Sequence, residues 1–513
     1  MQYINGTRAE DLTNDGIFAK QRAVVPFWAL ALSATAKRLA RLVVWLVRTV
    51  WRHPLTTAAL FAVALVWVEF GRRGLLGVLG LAMLSLSGWL WRSPASFDAR
   101  VVRPLRGWWR WLTFYRVVWY PVMHGTGLTR TTPDRTIYTP TVTSVSSTRV
   151  VDTIGLRLIH GHTPEDFHTQ AEGLRHAFRA HRLTVVQTAP GRVELRVFAR
   201  DPLTKPIPAT PIERIPAVPD LLSLPVGLTE AGDVYRVPLL GDHKLIAGKT
   251  GAGKGSVQWS ILRALGPGIA SGLVCVTGLD PKGGMELYPG RALFAYYGDQ
   301  DGEQMAQVIE AAADRMTARA KRLRDAGLRK HVPTVDDPFE VIVIDEVAFL
   351  TAYHPDRKIR DRVKAALSLL LSQGRAPGFA VIASLQDPRK ETLPFRDLFP
   401  TRIALRLAED SHTDMVLGDG AQDLGAACHL IPDTLPGVAY VRTETANEPV
   451  RVRFSWITDQ DITEAATRWP APAPVSAGAR VIDLAARDRS GSPGFPGQRS
   501  GAGPIESESP PGA

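Results

Sequence analysis

Residues 243–264 read HKLIAGKTGAGKGSVQWSILRA. A short apolar strand over 243–247 runs into Gly248, Lys249, Thr250, Gly251, Ala252, Gly253, Lys254, Gly255 and Ser256, and a helix follows from 257. Strand, glycine loop, lysine and helix together make a phosphate cradle. Glycines let backbone N–H groups point at phosphate oxygens, the helix N-terminus adds partial positive charge, and Lys254 reaches the β/γ phosphates. One position departs from the pattern. A Ser or Thr directly after the lysine would carry Mg²⁺, and this chain has Gly255 and then Ser256. Ser256 or a water is left to fill that place. The partner carboxylates come about 90 residues later, where residues 341–346 read VIVIDE. Asp345 suits a direct or outer-sphere Mg²⁺ ligand, and Glu346 a base that orients the attacking water. Residues 379–384 (FAVIAS) lead to Gln386, a polar side chain at a strand end that can sense the γ-phosphate. ATP and Mg²⁺ are the cofactors this set predicts.

Positioning these groups requires buried strands. VIVIDE and FAVIAS are continuous apolar runs of the kind found in parallel sheets covered on both faces. Helical stretches are expected over 303–326 and 358–373. Strands alternating with helices predict an α/β fold: a P-loop, RecA-like motor with a mostly parallel sheet and its ligands at the strand C-termini.

The first quarter of the chain has a different character. Residues 1–130 hold 17 Lys and Arg against 5 Asp and Glu, a net of +12 in a chain whose total is +11, and 10 of the 13 Trp. Residues 54–70 carry one charge, Glu69, and residues 74–91 carry none. The expectation is a transmembrane helical hairpin over 54–91, with basic flanks keeping both ends cytoplasmic. Residues 38–52 and 107–120 mix Arg and Trp with apolar residues and are expected to lie in the headgroup region. The polar first 20 residues give no signal-peptide pattern. Two cysteines, Cys275 and Cys428, exclude a disulfide scaffold.

The chain divides by composition into seven segments. Residues 1–53 form a basic interfacial segment, 54–91 the hairpin, 92–130 a basic aromatic juxtamembrane segment, and 131–200 a small α+β module. Residues 201–224 are a stiff Pro-rich linker, 225–460 the motor, and 470–513 a Pro- and Gly-rich tail with the composition of disorder. The module's His160, His162, His168, His176 and His181 lack metal-ligand spacing and are expected at the surface.

GKTGAGKGS, LDPKGGMEL at 279–287, VIVIDE, GRAPGFAVIASLQDP at 374–388 and PTRIALR at 400–406 occur in that order. The ordered set resembles the motor of FtsK/SpoIIIE-type DNA translocases over roughly residues 225–445. The GKGS ending, with GDGAQDLGAACHLIP at 418–432, is most similar to the transfer (Tra) proteins of actinobacterial conjugative elements. The resemblance implies a membrane-anchored, ATP-driven pump of double-stranded DNA acting as a homo-hexamer, with the motor in the cytoplasm. It makes Arg375 a candidate trans-acting arginine, with a structural pair or a DNA contact as the alternatives. Gln386-Asp387-Pro388 replaces the more usual Gln-Arg-Pro, and a terminal winged-helix reader is not expected. Arg315, Arg319, Lys321, Arg322, Arg324, Arg329 and Lys330 form a basic stretch able to contact phosphates without reading bases, or simply a solvated helix face. A chromosome-partitioning translocase, a type VII-like protein-secretion ATPase and a non-hydrolysing nucleotide-binding scaffold are the competing readings.

Overall fold

The computed structural model describes residues 54–472, apart from 133, 134, 300, 390, 391 and 393. The segment 1–53, including the basic stretch at 38–52, and most of the expected tail lie outside the described residues. The chain divides into two compact units, Met1–Val102 and Arg103–Ala513.

In the first unit, helix α1 (Pro54–Arg92) covers both apolar runs and breaks at Gly71, whose φ of 57° and ψ of −151° are open to glycine. Among the described residues no single helix is long and apolar enough to cross a membrane. The pair Trp67–Gly74 and Leu76–Arg92 passes that test only together, bent by 70°. Val68, Phe70, Met83, Leu84 and Trp91 are exposed on it.

The second unit begins with α2 (Arg103–Arg110) and α3 (Arg116–Gly125). They do not stand apart as a surface segment, because one face is buried. Tyr115, Trp119 and Met123, at the i, i+4, i+8 spacing of one helix face, enter a core with Ile154, Leu156, Phe167, Leu174 and Leu195. The Tyr115 hydroxyl donates to Asp152 at 2.7 Å, and the Arg110 guanidinium pairs with the same carboxylate at 2.6 Å. Gly107 lets α2 approach so closely that a Cβ there would strike the Val145 carbonyl. The border drawn at residue 130 therefore falls inside this body. Trp108, Trp109, Val117 and Tyr120 remain exposed on the other face. The partner layer is an antiparallel sheet of β1 (Thr141–Ser147), β2 (Val151–Arg157), β3 (Arg182–Ala189) and β4 (Arg192–Phe198), ordered β1-β2-β4-β3.

The segment 201–224 is not a free spacer. Leu203, Leu221 and Leu224 are buried, and Ile207–Pro208 pairs with the end of a motor strand. Proline excludes regular ladders but not edge pairing or burial of intervening leucines.

The motor strands are β5 (Leu224–Thr229), β6 (Val234–Val237), β7 (Lys244–Ala247), β8 (Val274–Leu279), β9 (Tyr296–Gly298), β10 (Phe339–Ile344), β11 (Phe379–Leu385), β12 (Thr401–Ala404), β13 (Val438–Thr443) and β14 (Ala446–Trp456). Their order is β9-β8-β10-β11-β7-β12-β13-β14-β5-β6. The first six are parallel and the last four are antiparallel to their neighbours. Every residue of β7, β10 and β11 is buried, as central strands covered on both faces require. Helices α4 (Lys254–Ala270), α5 (Gly302–Asp325) and α6 (Arg357–Gln373) cover the parallel half. Register brings the functional ends together: Ala247 pairs with Leu385 and Ala404, and Ile344 with Leu279 and Ala383. Gly248, Asp280, Asp345 and Gln386 thus leave one edge of the sheet side by side.

Candidate active site

The loop from Gly248 to Gly253 turns out of β7 with Gly251 (φ 76°) and Gly253 (φ 98°) in the left-handed region. Gly253 also lies so close to the Gly437 backbone that a Cβ would overlap it. Three backbone bonds tie the loop to neighbouring segments. The Gly248 N–H donates to Leu385 O at 3.1 Å, the Lys249 N–H to Arg406 O at 3.0 Å, and the Gly437 N–H to Ala252 O at 2.9 Å. Lys254 opens α4, and its Nζ donates to Gly248 O at 2.9 Å, so the ammonium sits across the loop's mouth. Burial lowers its pKa, opposed by Glu346 and Asp345.

Asp345 and Glu346 follow β10 and are 9% and 3% exposed. Burial, then Asp280 and Glu286, push the Asp345 carboxyl up to about 7. Glu346 accepts from Lys282 Nζ at 2.8 Å through Oε2 and from the Gln386 N–H at 3.4 Å through Oε1. The Gln386 side-chain oxygen accepts from the Thr250 hydroxyl at 3.1 Å, which joins the end of β11 to the glycine loop. Lys254, Thr250, Asp345, Glu346 and Gln386 therefore share one site.

Sequence reasoning passed over three members of this site. Asp280, fully buried, accepts the N–H groups of Glu286 and Leu287 at 3.0 Å each and that of Lys282 at 3.3 Å. Lys282 holds Glu346. Glu286 reaches back to α4, where its carboxylate fills the space a side chain on Gly255 would need. The available signal was LDPKGGMEL itself: three charges directly after a buried strand that neighbours VIVIDE. Ser256 is half-buried on the same helical turn.

Other candidates lie elsewhere. Arg375 precedes β11, at the sheet edge opposite the phosphate loop. There its Nε donates to Gly241 O at 2.8 Å and its guanidinium pairs with Glu444 at 3.0 Å. Arg319 is not available to DNA. It is 4% exposed, pairs with Asp337 at 2.8 Å and Glu340 at 3.1 Å, and lies 4.7 Å over the Phe379 ring. Arg315 takes the same Glu340 at 2.7 Å. Arg322 pairs with Asp337, and Arg324 with Asp325, both at the surface. Arg329 and Lys330 are exposed. No group of three or more His, Cys, Asp or Glu able to hold a metal occurs among the described residues. Mg²⁺ at a nucleotide needs only one or two carboxylates beside phosphates and water.

Residues 99–199 match the family model described as the actinomycete conjugal transfer protein N-terminal domain. Over 328 residues the chain is 28% identical to the transfer protein TraSA of Streptomyces ambofaciens, covering 60% of this chain and 76% of that one. The chain is similar to the actinomycete conjugal transfer proteins. The stretch matched by the family model takes in α2 and α3 with the four-stranded sheet, the same body that shares one core. Among solved structures it is similar to the pCW3 conjugation coupling protein TcpA with ATPγS, at 18% identity, covering 69% of this chain and 98% of that one, TM-score 0.45. The cytoplasmic domain of the Thermomonospora curvata type VII secretion ATPase EccC is similar at 19% identity, covering 53% and 35%, TM-score 0.43.

Proposed function

We propose that this chain is an ATP-hydrolysing motor that drives double-stranded DNA through a membrane-anchored homo-hexameric ring during conjugal transfer. The observation that carries the reading is the convergence of Lys254, Asp345, Glu346 and Gln386 at one edge of a parallel sheet, in a chain related to conjugal transfer proteins. The residues present fit Mg²⁺: Asp345 and Glu286 are hard oxygen donors beside the lysine that would face the phosphates. Bound there, Mg²⁺ would neutralise charge on the β and γ oxygens. Lys254 would give up its bond to Gly248 O for those oxygens. Glu346 would orient a water and take its proton as the new O–P bond forms and the bond to the ADP oxygen breaks. Gln386, tied to Thr250 and Glu346, would register whether the γ-phosphate is present. Membrane anchoring is supported by the basic, Trp-rich first quarter and the apolar residues of α1.

The deciding measurement is phosphate release by the full chain with and without linear duplex DNA. Stimulation by duplex and not by single strands is expected. Hydrolysis indifferent to DNA would favour a secretion motor, and no hydrolysis would leave a nucleotide-binding scaffold.

A further inference from the structure

In phosphate-loop proteins the residue after the loop lysine offers a hydroxyl to Mg²⁺. Gly255 cannot. The structure fills that gap from another loop. A Cβ built on Gly255 would overlap the Glu286 carboxylate, which therefore stands where a side chain at this position would begin. Ser256 is one residue further, about 100° around the helix, and addresses a different direction. Placement of Glu286 is built in. Gly283 (φ 83°) and Gly284 (φ 80°) reverse the chain after Lys282, and the buried Asp280 carboxylate clamps the Glu286 and Leu287 N–H groups. Among the described residues no hydrogen bond or ion pair holds the Glu286 carboxylate itself. Asp280, Lys254 and Asp459 lie near enough for their charges to act on it, and its own charge acts on Asp345 at the end of β10.

We propose that Glu286 supplies the metal-facing oxygen that the residue after the loop lysine lacks, and that Gly255 is glycine because the carboxylate needs its space. A carboxylate is a stronger ligand for a hard cation than a neutral hydroxyl. The exchange keeps an oxygen at the same place while moving its source from α4 to the loop after β8. The inference rests on the ATPase reading.

The test uses the full chain in detergent and a fluorescent ATP analogue, with nucleotide binding followed in EDTA and across a Mg²⁺ series. Mn²⁺ bound in the presence of ATP is read independently by its paramagnetic resonance. Glu286→Gln, which keeps size and removes charge, retains binding in EDTA and raises the half-saturating Mg²⁺ by about ten-fold or more. Glu286→Ala does the same. Gly255→Ser combined with Glu286→Ala makes room for the hydroxyl and brings the half-saturating Mg²⁺ back toward the parent value. An unchanged Mg²⁺ requirement in a folded Glu286→Gln protein overturns the proposal. A shift in Ser256→Ala with none in Glu286→Gln overturns it as well and moves the role to Ser256. A parent chain that binds no nucleotide at all overturns the ATPase reading instead, so the two failures are distinguishable.

Discussion

Removing the charge of Asp345 should stabilise the nucleotide-free, metal-free protein, and the gain should depend on pH in a way the geometry fixes. Burial and the neighbouring Asp280 and Glu286 push this carboxyl up to about 7, with Lys254 offsetting only part. An unfolded aspartate titrates near 3.9, so the difference is roughly 3 units, or about 4 kcal/mol at 1.36 kcal/mol per unit. The sign comes from proton counting. Between about pH 4 and pH 7 the folded state holds a proton that the unfolded state has lost, so stability falls as pH rises through that window and the penalty is constant above it. Relaxation and water access should leave about half of that ceiling, roughly 2 kcal/mol, or about 4–8 °C in Tm. Asp345→Asn should therefore melt higher than the parent near pH 8 in EDTA, with the difference vanishing near pH 4. Thermal melts of both proteins across pH are the assay. An equal difference at both ends of the range, or a lower Tm for Asp345→Asn at high pH, would refute the account of a desolvated, repelled carboxylate. The same variant should bind nucleotide with a weakened Mg²⁺ dependence, since the destabilising charge is the one the cation uses.

Glu346→Gln should keep nucleotide binding and lose at least about a hundred-fold in phosphate release, because the base is gone while Lys254 stays. Near-parental turnover would remove Glu346 from that role. Arg319→Ala should cost roughly 3 kcal/mol in denaturant melts by leaving Glu340 and Asp337 short of a buried partner, with no change in the duplex affinity of the folded protein. A selective loss of DNA binding would restore Arg319 to the DNA contacts. With Arg315 and Arg319 committed to Glu340, and Arg322 and Arg324 paired with Asp337 and Asp325, the cations left for phosphates are Lys321, Arg329 and Lys330. The salt dependence of duplex binding should then have a slope near about −2.7 for each engaged subunit, losing about 0.9 with each of the three replaced by Ala.

The parts of the site written as continuous sequence were legible. The glycine loop and VIVIDE each announce a strand and the functional turn at its end, and the strand registers bring those ends together as a parallel sheet must. Features that depend on distant partners were not. The Arg–Trp segment at 107–120 carries a pattern that suits a membrane surface and a protein core equally. It is Asp152 on β2 and the aromatic core beneath α3 that decide for burial of one face. The basic stretch around Arg319 has the composition of a DNA contact, but Glu340 enters from a strand 21 residues away. The prolines of 201–224 suggested a spacer because proline shows only which backbone pairings are avoided, while Leu203 and Leu221 find pockets that no local pattern records.

Gly255 shows how a broken motif carries information. By itself it weakens the case for catalysis, since the hydroxyl expected there is missing. A glycine in the first turn of α4 also forms helix less readily than alanine, so its presence asks for a compensating reason. The reason is steric: even a methyl group at 255 would meet the Glu286 carboxylate. Glu286 in turn sits 31 residues downstream, on a loop whose shape depends on Asp280 and two left-handed glycines. A departure at one position and an otherwise unassigned acidic residue at another are thus two halves of one arrangement. Neither half is interpretable until the fold puts them in contact, and that contact favours a working metal site over a degenerate one.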